Sequence, residues 1–199
     1  NDMDMMEVGN GMSEEEDRAH FSLWAMLASP LIAGNDLRTM TDATRRILTR
    51  RDMIAINQDR LGIQAMKWID EGEIELFLKP LDNGGYALLV LNRTDDARVY
   101  TLDWSSHDMK DDISGRAIEF KKQRFSWRDV WSDNTGSTRT PFSRARRIMR
   151  ATKVASRRPI STLDSSTTIT RNREFPYAAS ACLLASAPPL VNLSIIPFT

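Results

Sequence analysis

The chain has 199 residues, 41% of them apolar, enough for one ordinary domain or two small ones with a buried core. Its 27 basic and 27 acidic side chains cancel, which argues against a general role on nucleic acid or at a membrane surface. A single cysteine, Cys182, excludes an intramolecular disulfide framework, and no apolar run reaches the roughly 18 residues that a spanning helix needs.

The zero net charge hides a division. Ser143 to Thr199 holds nine Lys and Arg against two Asp and Glu, so this tail carries +7 and residues 1–142 carry −7. The chain opens on Asn1 with no signal-like region, so the natural N-terminus is expected further upstream. Met5 to Gly9 reads as a short buried strand closed by the Gly9-Asn10-Gly11 loop. Ser13 and Glu16 then stand in capping-box spacing, and Glu14 to Glu16 suit the positive end of a helix. His20, Leu23, Trp24 and Leu27 recur at helical spacing, and this face is expected to pack on a sheet before the helix ends near Ser29-Pro30. Leu31 to Gly34 predicts a second strand, and Thr41 to Ile56 a second helical region. This β-α-β-α order implies parallel strands with right-handed crossovers, and two such units cannot close a barrel alone.

After Leu61-Gly62 the apolar period becomes two. Ile74, Leu76 and Leu78 alternate, Asp82 to Gly85 supplies a turn, and Tyr86, Leu88 and Val90 alternate again, which predicts a hairpin. Further strands are expected at Arg98 to Trp104, Ala117 to Phe120 and Ser126 to Trp131, together an antiparallel sandwich. Beyond Phe142 the chain is basic and aperiodic with a Ser/Thr-rich stretch from Ser161 to Thr170, and disorder is expected. Ala178 to Phe198 is apolar but interrupted by Pro188, Pro189 and Pro197. Asn92-Arg93-Thr94 and Asn192-Leu193-Ser194 fit glycosylation acceptors, a pattern that also arises by chance.

Asp2 and Asp4 lie just before or on the first strand and would share one side of it; from the residues alone a solvated or capping role is favoured, and binding of sugar hydroxyls is the alternative. The stretch Asn1-Asp2-Met3-Asp4-Met5-Met6-Glu7-Val8-Gly9-Asn10-Gly11-Met12-Ser13-Glu14-Glu15-Glu16 resembles the seventh-strand region of glycoside hydrolase family 27, the melibiase-type α-galactosidases. The resemblance continues through His20-Phe21-Ser22-Leu23-Trp24, Ser29-Pro30-Leu31-Ile32, Asn35-Asp36-Leu37-Arg38, Ile47-Leu48-Thr49 and Ile54-Ala55-Ile56-Asn57-Gln58-Asp59. More loosely it includes Lys79-Pro80-Leu81, Gly85-Tyr86-Ala87 and Leu91-Asn92-Arg93, and it covers residues 1 to about 142.

What the resemblance implies is an α/β plus all-β architecture. Residues 1–63 would be the last two β/α units of a (β/α)8 barrel and residues 64–142 an antiparallel β-sandwich domain. Residues 143–199 would be a tail, native or produced by a shift of reading frame near Ser143. It also implies retaining hydrolysis of terminal α-galactosides without metal or organic cofactor. Both catalytic carboxylates of the family lie on barrel strands upstream of Asn1, so no catalytic residue is expected here and the isolated chain should be inactive and prone to aggregation. Asp4 is the implied substrate-binding residue. Met5 is expected to brush the pocket, Asp2 to fix local structure and Asp36 to organise a loop. Met3 and Arg60 stand where the family usually has proline. His20, Trp24, Trp104, Trp127 and Trp131 are read as packing residues. The expected partner is a galactoside, not nucleic acid or membrane; neither oligomeric state nor localisation is encoded, although secretion or periplasmic export would suit a glycosidase. The rivals are a non-catalytic carbohydrate-binding or structural β-module at residues 64–142, and a basic tail that contacts nucleic acid or acidic surfaces.

Overall fold

A computed structural model describes residues 3–94, 96, 98–103, 106–137, 146–151, 178–187 and 190–193. Met6 and Ala33 form one parallel bridge, with Met6 N–H donating to the Ile32 carbonyl at 2.8 Å and Gly34 N–H to the Met6 carbonyl at 3.0 Å. Gly34 makes this approach possible, because a Cβ there would stand 2.6 Å from the Met6 carbonyl oxygen. The two expected strands are thus reduced to a bridge.

Between them runs α1 (Glu14–Met26), which begins with both bonds of the capping box: Glu16 N–H to the Ser13 hydroxyl, and Ser13 N–H to the Glu16 carboxylate. Its most buried side chains are Asp17, Ala19, Phe21, Ser22, Ala25 and Met26, rotated from the His20, Leu23, Trp24 and Leu27 face, which is only half-buried. The helix is covered on two sides, and Phe21, Ala25 and Met26 join the core beneath the β-domain. The second helical region divides into α2 (Asp42–Leu48) and α3 (Arg51–Asn57). Arg50 interrupts it in extended conformation, its side chain drawn to the Val130 carbonyl at 2.7 Å and to Asp133 at 2.6 Å.

The β-part begins with β1 (Met66–Asp70), a strand not anticipated from periodicity, followed by β2 (Ile74–Pro80) and β3 (Tyr86–Asn92). The hairpin register runs from Ile74 opposite Asn92 to Pro80 opposite Tyr86, as the alternation predicts. Then come β4 (Arg98–Asp103), β5 (Met109–Lys110), β6 (Ala117–Ile118), β7 (Phe125–Asp129) and β8 (Thr135–Ser137). Three strands follow in the segment expected to lack regular structure: β9 (Arg146–Ala151), β10 (Ala178–Ala187) and β11 (Leu190–Leu193). The six-stranded sheet has the order β1-β2-β3-β10-β11-β7, while β9 pairs with β4. The ten residues of β10 contain only two serines among apolar side chains and no proline, so they can accept the edge of β3. Ser161 to Thr170 lies outside the described residues.

Two cores sandwich this sheet. Leu76, Leu78, Tyr86, Leu88 and Val90 face Tyr100, Leu102, Met109, Ile118, Phe120 and Phe125, whereas Ala87, Leu89 and Leu91 face the helices with Phe21, Met26, Met53 and Ile56. Every residue of β3 is therefore buried, and the alternation read from the sequence describes only one of its two covered faces. Gly136 lies against Trp127, where a Cβ would meet the indole ring at 2.4 Å.

Polar groups reinforce the helix–sheet contact. Arg128 of β7 holds Asp52 of α3 through two hydrogen bonds, at 2.8 and 2.5 Å, and Arg50 pairs with Asp133. Both ends of the Arg128–Asp52 pair are partly exposed, so Arg128→Gln is expected to lower the unfolding free energy by about 1 kcal/mol. Urea titration checks this, and the loss should shrink in molar salt.

Candidate functional site

The end of the first barrel segment is organised one backbone group at a time. Asp4 is exposed and adopts left-handed backbone, φ 57°, a conformation that Asp tolerates better than most side chains. Its own Oδ1 accepts the Met5 N–H at 2.8 Å. Met6 is bonded to the neighbouring barrel segment as described. Glu7 N–H donates to His20 Nε2 at 3.1 Å, and Gly9 N–H to Asp17 Oδ1 at 3.0 Å. Gly9, at φ +85°, lies against Thr44 so closely that a Cβ would collide at 2.6 Å. The Glu7 carboxylate accepts from Asn10 Nδ2 at 2.8 Å, and Asn10 N–H closes a turn on the Glu7 carbonyl.

Electrostatics follow from burial. Asp17 sits on a covered face of α1 beside Glu16 and Glu14, and burial with those neighbours pushes its carboxyl up to about 6, against the opposing Gly9 hydrogen bond. Burial also pushes the His20 imidazole below its usual range, opposed by the Glu7 carboxylate. An Asp whose folded pKa is raised binds more protons when folded, so its contribution to stability falls as pH rises from about 4 to about 6. Asp17→Asn keeps an oxygen for the Gly9 N–H and removes that titration. Its stability relative to the parent chain is expected to improve between pH 4 and pH 6, as melts across that range would check.

Met5 is half-exposed, its Cβ 3.4 Å from the position a Gly34 side chain would take, so it stands where the two barrel segments meet. Asp36 is exposed and accepts from Arg38 at its backbone N–H, Nε and Nη2, at 2.9, 3.0 and 2.8 Å, an organised loop beyond the second segment. Asp2 and Trp104 lie outside the described residues. Trp24 stacks on His20 with ring centroids 3.9 Å apart, Trp131 donates from Nε1 to the Ser22 hydroxyl at 3.2 Å, and Trp127 packs half-buried on the sandwich core. Among the described residues no cluster of three His, Cys, Asp or Glu could hold a metal ion, and no helix is long and apolar enough to cross a membrane. Asn92 of the first glycosylation triplet is buried, its Nδ2 donating to the Asp96 carbonyl and its Oδ1 accepting from Thr94. It turns the chain instead of presenting an amide to solvent. The second triplet begins on β11, and Ser194 lies outside the described residues.

Periodicity did not reveal the joint between the barrel segments and the β-domain. Lys79 of β2 is wholly buried, its Nζ donating to the Ala25 carbonyl at 3.2 Å and the Ile56 carbonyl at 2.6 Å. Those carbonyls belong to the last turns of α1 and α3, where the helix dipoles favour a cation. Asn57 Nδ2 donates to the Trp24 and Ser29 carbonyls, and Asp59 accepts the Leu61 and Asp82 N–H groups. The signals were present as a lysine directly after the apolar run Leu76-Phe77-Leu78 and as the Asn57-Gln58-Asp59 triplet at a helix end.

Comparison with known proteins matches the same two parts. A melibiase family model described as α-galactosidase A covers residues 1–59, and one described as the α-galactosidase C-terminal β-sandwich domain covers residues 71–155. The α-galactosidase A of Cellvibrio japonicus is 70% identical over 139 residues, 70% of this chain and 34% of that protein. The α-N-acetylgalactosaminidase of Gallus gallus is 46% identical over 129 residues, 59% of this chain and 32% of that one. Among solved structures, α-galactosidase I of Mortierella vinacea superposes with a TM-score of 0.64 at 32% identity, covering 77% of this chain and 37% of that one. The chain spans about a third of the length of the curated relatives it matches. With barrel end and β-sandwich both matched in order, the chain belongs to the melibiase-type α-galactosidases of glycoside hydrolase family 27.

Proposed function

We propose that this chain is the C-terminal part of a retaining α-galactosidase and that its contribution to the reaction is Asp4, which accepts hydrogen bonds from the hydroxyls of a terminal galactose. The observation that carries the reading is the pairing of family membership with an exposed carboxylate at the end of a barrel segment that is bonded backbone group by backbone group. Retaining hydrolysis needs a nucleophile and an acid/base carboxyl roughly 5–5.5 Å apart. In this reading both belong to barrel strands outside these residues, and this chain completes the substrate pocket. Met5 supplies an apolar contact beside Asp4, and Asp2 and Asp36 support the surrounding loops.

The rival reading of residues 64–142 as a free-standing sugar-binding module has less support. One face of the six-stranded sheet is covered by α1 and α3 and the other by β4 to β6, so among the described residues neither face is open to a sugar. The expected result for a polypeptide of these 199 residues alone is no release of nitrophenol from a nitrophenyl α-galactoside. Turnover by that polypeptide would show that it holds a complete catalytic pair, and would overturn the proposed division of labour.

A further inference from the structure

The segment from Asp4 to Asn10 draws two of its backbone bonds from side chains of the following helix. Asp17 and His20 are three residues apart on α1, neighbours on its surface, and each accepts a backbone N–H of the segment, Gly9 to Asp17 and Glu7 to His20. We propose that Asp17 and His20 are positioning residues that hold the Asp4-bearing segment in place through the Glu7 and Gly9 amides; the proposal rests on the reading of Asp4 as the galactose-binding carboxylate.

Three observations carry it. First, Met5 N–H and Met6 N–H are satisfied within or beside the segment, so the His20 and Asp17 bonds are its attachments to the helix behind it. Second, His20 is itself fixed. Its ring lies on Trp24 at an interplanar angle of 22°, so Nε2 keeps its direction, and accepting there requires the neutral tautomer with the proton on Nδ1. Third, α1 is anchored at both ends, by the Ser13–Glu16 box at its start and by Lys79 on the Ala25 carbonyl near its finish. The helix is therefore a rigid mount, and Asp4 stands three residues from the nearer attachment. The ionisable groups around His20 are Glu7, to which it is bonded, and Asp17 one turn away. A protonated Asp17 still presents an oxygen to Gly9, whereas a protonated His20 has no lone pair for Glu7. His20 is the more exacting of the two.

The test uses a hybrid enzyme in which residues 1–137 replace the matching segment of the Cellvibrio japonicus relative, with two substitutions at one position. His20→Phe keeps a ring on Trp24 and removes the acceptor, whereas His20→Gln places an amide oxygen near the former Nε2. His20→Phe is expected to raise KM for nitrophenyl α-galactoside about tenfold with kcat changed less than twofold, and to speed amide exchange in the peptide from Met5 to Met12. His20→Gln is expected to return both towards the parent. Equal behaviour of the two variants, or unchanged exchange in His20→Phe, would overturn the positioning role. Asp4→Ala separates the two ideas: if it leaves KM unchanged, the galactose-binding reading fails, while the exchange measurement still decides whether His20 holds the segment.

Discussion

Lys79→Met is expected to cost about 3 kcal/mol of stability, roughly 10 °C in melting temperature for a domain of this size. Methionine fills much of the same volume, so the loss arises from polar groups. The ammonium is wholly buried between the last turns of α1 and α3 and donates to one carbonyl of each. Without it, two buried carbonyls at helix ends lose their partner, at about 1–3 kcal/mol each, offset in part because the cation no longer has to be desolvated. Burial pushes the Lys79 amine down to about 8, with the Asp59 carboxylate opposing. A lysine whose pKa is lower when folded binds fewer protons in the folded state, so the side chain adds stability as pH rises from about 8 towards 10.5. Parent and variant should therefore diverge further above pH 8. Chemical denaturation at pH 7 and pH 10 measures both effects, and the same stability for both proteins at each pH would remove Lys79 from the joint.

In the hybrid enzyme, Asp4→Ala is expected to lower kcat/KM on α-galactosides a hundredfold or more. A carboxylate that accepts from two sugar hydroxyls makes charge-assisted bonds of about 1.5–3 kcal/mol each, and truncation leaves those hydroxyls unpaired in the pocket. Asp4→Asn keeps one acceptor oxygen and should recover part of the loss. Because Asp4 is exposed, truncating it uncovers no core, and melting should move little beside the loss of activity. Steady-state kinetics beside a melt separates loss of a substrate contact from loss of the fold.

What was legible in the sequence follows from what local signals encode. The capping box at Ser13 and Glu16 and the hairpin from Ile74 to Asn92 stand where short-range chemistry puts them, because each is satisfied by neighbours a few residues away. The break at Arg50 was not legible, since the groups that draw its side chain lie some 80 residues further on. The buried face of α1 was misplaced for a related reason: His20 and Trp24 look inward towards the barrel segment, but the deepest contacts belong to Phe21, Ala25 and Met26 beneath a sheet that the helix sequence does not announce. The strand β10 was hidden by its surroundings. A proline pair and a basic, aperiodic stretch suggested a chain without order, whereas Ala178 to Leu184 between them pair with β3 along its whole length. In the site, Asp4, Met5, Asp2 and Asp36 rest on resemblance, while Asp17, His20 as an acceptor and Lys79 become visible only when the backbone groups they serve are in place.

The most direct measurement is the activity of the hybrid that carries residues 1–137 in the Cellvibrio japonicus relative. Hydrolysis of nitrophenyl α-galactoside within tenfold of the relative's own kcat/KM, lowered a hundredfold or more by Asp4→Ala in a protein that still melts cooperatively, is the result expected of a working substrate-pocket segment. A folded hybrid without hydrolysis, or one indifferent to Asp4→Ala, would contradict it.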